Sequence, residues 1–282
     1  MRFLSEYRDI LRGARLLNPA GDINLHTHTC LCDGRDEPEE MVLAAVQADF
    51  RVLGFSGHGY CLHDLDCCMT EEGEDAYWRI LQALKEKYRR RLDIRIGMER
   101  DFFNENHLHP FDYEIGSVHY VEVPGGFLSV DDSYEAAAEG VEKYFGGSWR
   151  KYVECYYETE GQVLERTGAD LVGHLDLVTK FNRNGRCFDE GADWYRKAAL
   201  SAVRRILSRP RFPRPAVRDL LGEGPLPVFE INTGGMAKGC TDRPYPAPFL
   251  LREIVDAGCP VVLSSDCHQR ESLRFGFGEL LG

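Results

Sequence analysis

The residues with the widest chemical reach are imidazoles and carboxylates placed at the ends of short apolar runs. His26 and His28 close the run Ile23-Asn24-Leu25. On a strand, positions i and i+2 point to the same side, so two rings would converge at the strand's C-terminal end. Neutral imidazole is the commonest metal ligand. The pattern then recurs: His58, Glu99, His119, His174 and the Asp266-Cys267-His268 triplet each follow a short apolar run. Six of the nine histidines sit at such ends; His63, His107 and His109 do not. Asp33, in the loop after His28, completes a set of nine candidate ligands: His26, His28, Asp33, His58, Glu99, His119, His174, Asp266 and His268.

A catalytic zinc takes three protein ligands. Nine candidates therefore suit two or three divalent ions, with a carboxylate bridging at least one pair. Mixed imidazole and carboxylate donors suit zinc, manganese or iron. Ions about 3.5–4 Å apart generate a hydroxide nucleophile and clamp attacking and leaving oxygens, which is phosphoester hydrolysis chemistry.

Seven strands must carry these groups, predicted at 22–26, 52–55, 94–98, 113–118, 171–173, 228–231 and 260–264. Helical periodicity covers 4–17, a segment opened by Pro38, 75–90, 132–145, 148–167, 189–207 and 248–257. Alternating strands and helices mean an α/β fold with a parallel sheet and helical crossovers. In barrels of this kind function gathers at the C-terminal ends of the strands. The stretch 208–226, with four prolines, reads as an irregular surface connection.

Length and composition set the bounds. The 282 residues are 43% hydrophobic, enough for a substantial core, and read as one domain over 1–282 with a helical extension at 1–20. The net charge of -12 disfavours nucleic acid as partner, because a phosphate backbone calls for a basic face. A small phosphorylated metabolite needs only a few local cations. The ten cysteines show no paired metal spacing and read as reduced thiols of a cytoplasmic protein. The charged N-terminus lacks a signal-peptide core, and no run is long enough to span a membrane.

His26-Thr27-His28-Thr29 with Asp33-Gly34, Gly57-His58, Gly97-Met98-Glu99, Gly116-Ser117-Val118-His119, Gly173-His174-Leu175-Asp176 and Ser265-Asp266-Cys267-His268 together resemble the PHP (polymerase and histidinol phosphatase) superfamily. With Glu230-Ile231-Asn232-Thr233-Gly234 and Pro244-Tyr245-Pro246, the sequence looks like the stand-alone histidinol-phosphate phosphatases. The resemblance implies a distorted (β/α)7 TIM-like barrel with its metal site at the C-terminal ends of the strands. It implies a trinuclear centre: His26, His28, Glu99 and Asp266 on the first metal, Glu99, His119 and His174 on the second, and Asp33, His58 and His268 on the third. Glu99, Asp266 and His268 would serve catalysis as well as binding, with a hydroxide bridging the metals as nucleophile. Lys180 and Lys238 sit where the phosphatases carry basic residues near the phosphate, with Arg183 and Arg243 as reserves. Asp176, Tyr120 and Phe181 are candidates to line the site against histidinol's amine and imidazole.

The activity so implied is hydrolysis of L-histidinol phosphate, in histidine biosynthesis. Two other readings stand beside it. One is a related phosphoesterase acting on another small metabolite or on nucleotide or oligonucleotide ends. The other is a metal-bound module without catalysis. A filled set of nine ligand positions argues against the last.

Overall fold

The apolar runs Val52–Phe55 and Pro260–Ser264 carry no polar face, as expected of parallel strands covered on both sides, and every residue in both is buried. The structure, a computed structural model, describes residues 2–104 and 109–282; His107 lies outside them. Its strands are β1 (Arg15–Leu16), β2 (Ile23–Asn24), β3 (Val52–Phe55), β4 (Asp93–Asp101), β5 (Tyr113–Ser117), β6 (Tyr120–Val123), β7 (Gly126–Ser129), β8 (Leu171–Val172), β9 (Val228–Asn232) and β10 (Pro260–Ser264). One sheet runs in the order β1-β10-β9-β8-β5-β4-β3-β2, with every pairing parallel. Beyond the strand ends, Thr27 bridges Cys267 in parallel, and the His28 amide donates to the Cys267 carbonyl at 2.9 Å. The sheet therefore curls back on itself at the end that carries the ligands, a distorted TIM-like barrel.

The seven expected strands are β2, β3, β4, β5, β8, β9 and β10. Three features differ from the sequence reading. The first helix stops at Leu11, and Arg15–Leu16 pairs with the start of β10 as an eighth strand. Gly13 interrupts the helical register there, and Leu16 fits alternating as well as helical spacing. Directly after His119, β6 and β7 form an antiparallel hairpin around the turn residue Gly125, whose φ is +87°. The 208–226 stretch is largely exposed, as expected, but it is more than a surface connection. Val217, Leu220 and Leu221 are buried with Ile23, Val52, Leu171, Val228 and Val262, so it plugs the barrel where the strands begin. Arg211 and Arg214 tie it down by ion pairs to Asp170, and Arg95 pairs with Asp219.

Helix boundaries follow local chemistry. The helix Glu71–Tyr88 starts earlier than its apolar stripe because Thr70 caps the Gly73 amide at 3.0 Å, satisfying an otherwise unpaired donor. Acids in its first turn and Lys85 and Lys87 in its last complement the helix dipole. Its buried stripe is Tyr77, Leu81, Leu84 and Tyr88. Ile80, three residues after Tyr77 and so at helical spacing for that stripe, is nevertheless exposed.

The barrel interior is set by Tyr113, which is fully buried. Its hydroxyl reaches the carbonyls of Leu25 and Phe55, joining β5 to the ends of β2 and β3. The ring has room only because its neighbours on β3 and β4 are glycines. A Cβ on Gly97 would stand 2.4 Å from the Tyr113 ring. Gly97→Ala is therefore expected to lower stability by about 1–3 kcal/mol, the range for overpacking a core. A urea midpoint equal to that of the parent chain would show that the ring can move aside.

Candidate metal centre

The nine candidate ligands are delivered at or near the C-terminal ends of six strands. His26 and His28 follow β2, His58 follows β3, His119 follows β5, His174 follows β8, and Asp266 and His268 follow β10. Glu99 lies inside β4, which runs on to Asp101 because it stays paired to β5 through Ser117. Asp33 comes from the loop after His28. All nine fall into groups whose ligand atoms lie within 4.8 Å of one another: His28, Asp33, His58 and His268; His26, Glu99 and His174; His26, His28 and Asp266; and His58, Glu99 and His119.

Glu99 is the hub. Its Oε2 stands 3.0 Å from His26 Nε2, 3.4 Å from His28 Nε2 and 3.3 Å from His58 Nδ1. Its Oε1 faces His174 Nε2 at 2.9 Å and His119 Nε2 at 3.4 Å. The two oxygens thus serve two different sets of imidazoles, the geometry a bridging carboxylate requires. Ser117 donates to Oε1 at 2.6 Å and fixes the carboxylate plane. Asp33 takes the other flank, 2.8 Å from His268 Nε2 and 3.3 Å from His28 Nδ1. Asp266 holds a left-handed backbone, φ +47°. That conformation is uncommon outside glycine and recurs where function over-determines the backbone.

The electrostatics call for cations. Burial opposes charging of His26, but Glu230, Glu99 and Asp266 outweigh it and push its pKa up to about 10. Burial wins at His58, which drops to about 4. Burial would raise Asp33, yet His58 and His28 hold it far below the carboxylate range. His28 Nε2, Asp33 Oδ1 and His174 Nδ1 are buried without hydrogen-bond partners, whereas buried polar atoms are normally satisfied. Imidazoles and carboxylates packed this closely, with such atoms left over, fit divalent metal ions.

Seven of the ligands line one cavity, joined by Asp131, Lys180, Lys238 and Tyr245. Lys238 Nζ stands 3.4 Å from His268 Nε2. Lys180 Nζ donates to the Asp131 carbonyl at 2.7 Å and to its carboxylate at 3.1 Å. The structure does not bring Arg183 and Arg243 here. Both face a neighbouring cavity, Arg183 paired with Asp242 and Arg243 with Asp176 and Glu190. Asp176 does not line this cavity; it accepts from the Ala247 amide and Arg243. Tyr120 donates to Asp64, and Phe181 lies beneath Lys180. A further groove runs between the helices Trp149–Glu160 and Asp193–Leu207, and no imidazole lines it. All ten cysteines are free. Cys32 Sγ touches His28 Nδ1 at 3.6 Å, and no cysteine enters the ligand groups formed among the described residues.

The sequence matches the PHP domain family over residues 22–207. The chain belongs to the PHP family. A probable histidinol-phosphatase of Deinococcus radiodurans is 33% identical over 266 residues, covering 90% of this chain and 89% of the relative. The histidinol-phosphatase of Bacillus subtilis is 22% identical over 281 residues, covering 92% and 97%. The fold is shared with a Listeria monocytogenes protein assigned as a histidinol phosphatase, at TM-score 0.71 and 24% identity, covering 91% and 98%. It is also shared with a Lactococcus lactis histidinol phosphate phosphatase complexed with zinc, L-histidinol and phosphate, at TM-score 0.56 and 17% identity, covering 92% of each chain.

Behind the candidate ligands stands a layer that the sequence reading did not assign. Glu230, on β9, is fully buried; its Oε1 lies 2.6 Å from His26 Nδ1, and its Oε2 accepts from the His174 amide at 2.9 Å. Asp101 does the same for His119, 3.3 Å from Nδ1 and 2.8 Å from the amide. Such partners set a ligand's tautomer and direction. The available signal was Glu230 itself, an acid within an otherwise apolar strand, where an unpaired carboxylate would be costly. Glu230→Gln is expected to weaken metal affinity about 10–100-fold, the usual effect of losing an outer partner. Competition against a metallochromic chelator measures it, and parental affinity would leave Glu230 a purely structural residue.

Proposed function

We propose that this chain is a metal-dependent phosphomonoesterase that hydrolyses L-histidinol phosphate to L-histidinol and phosphate. The observation that carries the reading is the split of Glu99 between two imidazole sets, in a cavity that also presents two lysines. Its similarity over nine-tenths of its length to a probable histidinol-phosphatase supports the substrate. In this reading His26, His28, Glu99 and Asp266 hold one divalent ion, Glu99, His119 and His174 a second, and Asp33, His58 and His268 a third. When bound, such ions supply Lewis acidity and an activated water. Zinc is favoured by the zinc-containing neighbour; manganese and iron suit the same donors.

The chain's own groups do the rest. Glu230 and Asp101 orient His26 and His119. Lys180, held by Asp131, and Lys238, beside His268, bring positive charge to the phosphoryl oxygens, where charge-assisted contacts are strongest. Lys180→Met and Lys238→Met should each raise KM for the monoester about tenfold or more, since a hydrogen bond to a charged group contributes roughly 1.5–3 kcal/mol. Metal content should stay unchanged, because neither is a ligand. An unaltered KM would place that lysine outside the phosphate site.

The cytoplasmic part of the reading rests on the ten cysteines, all free thiols as a reducing compartment keeps them; among the described residues no helix is long and apolar enough to cross a membrane. The deciding assay is phosphate release from histidinol phosphate against a panel of phosphomonoesters and a diester. The reading expects kcat/KM for histidinol phosphate well above that for p-nitrophenyl phosphate, because binding of a remote group lowers the barrier at phosphorus. Equal turnover of the generic ester would remove the histidinol assignment. Preference for the diester would replace it with a nuclease-like activity.

A further inference from the structure

Three residues lining the metal cavity carry a buried polar atom without a hydrogen-bond partner: Asp33, His174 and Tyr245. The first two are in the metal-ligand set. Tyr245 is not. Its hydroxyl is the orphan, although the residue is only 1% exposed.

The surroundings hold the ring rigidly in that position. The Tyr245 amide and carbonyl both pair with Asn232, at 2.9 and 2.8 Å. The Tyr7 hydroxyl lies 2.8 Å from each of the flanking carbonyls, Pro244 and Pro246. The ring stands edge-on to His174, with centroids 6.5 Å apart. Opposite it is Gly235, where a Cβ would fall 2.8 Å from the hydroxyl. A fixed, desolvated donor that nothing in the fold uses is unfavourable to keep. Such groups are retained where a ligand completes them.

We propose that the Tyr245 hydroxyl is a phosphate-binding donor, giving a hydrogen bond to a non-bridging oxygen of the substrate's phosphoryl group in the cavity shared with Lys180 and Lys238. The inference rests on the phosphomonoesterase reading. It adds a neutral, directional donor to two cations. A phenol contributes direction where an ammonium contributes charge.

The test compares metal-loaded wild-type protein with Tyr245→Phe. Inorganic phosphate is the probe, titrated by calorimetry. Affinity for phosphate is expected to fall about 10–100-fold, the scale of one hydrogen bond to a charged oxygen, and kcat/KM for the monoester should fall in step. Metal content should hold. The melting temperature should stay level or rise, because the substitution removes an unpaired polar group from a buried site. Unchanged phosphate affinity overturns the inference; paired with a lower melting temperature, it would mean that the hydroxyl is satisfied within the fold. Should Tyr245→Phe not fold, Gly235→Ala displaces the same ring and is expected to weaken phosphate binding; parental affinity there overturns the inference too. If the wild-type protein cleaves other monoesters but not histidinol phosphate, the substrate assignment fails while the phosphate titration still decides Tyr245. If it binds no phosphate at all, both fall.

Discussion

Glu99→Gln is expected to lose both metal and turnover. Both oxygens of Glu99 are committed, Oε2 toward His26, His28 and His58 and Oε1 toward His119 and His174. An amide keeps one acceptor but replaces the other with a donor, and it carries no charge to offset a cation. The loss should exceed the roughly 10–100-fold that follows removal of an outer partner, so kcat/KM should fall by more than about 100-fold. Elemental analysis of the purified variant should show fewer ions per chain than wild type. Ser117 still has a carbonyl oxygen to bond, so the fold should survive, with a circular dichroism spectrum like that of the parent. Wild-type metal content together with wild-type turnover would take Glu99 out of the centre.

Removing the metals is the second large perturbation, and stability is its readout. Without cations, buried Glu99 and the partly buried Asp33 and Asp266 depend on charged imidazoles for compensation, and desolvation disfavours every one of those charges. A ligand held at about a thousand times its dissociation constant stabilises the native state by about 4 kcal/mol. For a chain of this size that is roughly 8–16 °C in melting temperature. Exhaustive chelation should therefore lower the melting temperature by about 10 °C or more, and zinc or manganese should restore it. Elemental analysis of protein purified without chelator should give more than one ion per chain. A stoichiometry at or below one after reconstitution, or a melting temperature indifferent to chelation, would count against a multinuclear centre.

Much of this centre was legible before any coordinates. A strand end is a local feature, readable from an apolar run and the polar residue that closes it. A parallel sheet brings all such ends to one face. His26, His28, His58, His119, His174, Asp266 and His268 therefore needed no long-range information to be grouped, and the strand count came from the same periodicity. The extra strand β1 and the β6–β7 hairpin are short. Their signals, Leu16 beside a helical run and Pro124-Gly125-Gly126 between alternating residues, are weaker than those of the longer elements.

What only the tertiary structure decided is which distant groups meet. Composition gave the 208–226 segment a surface reading, yet Val217, Leu220 and Leu221 close the barrel, because the interior at that end is open to an apolar plug. Lys180 and Arg183 are three residues apart, but a tight turn sends one to the metal cavity and the other to its neighbour. Arg243 is consumed by Asp176 and Glu190, groups 67 and 53 positions away. Glu230 behind His26, Asp131 beneath Lys180 and the unpaired hydroxyl of Tyr245 have the same origin. Periodicity reports how a residue faces its own strand or helix; partnership between buried polar groups is set by how separate elements pack, and no local pattern encodes it.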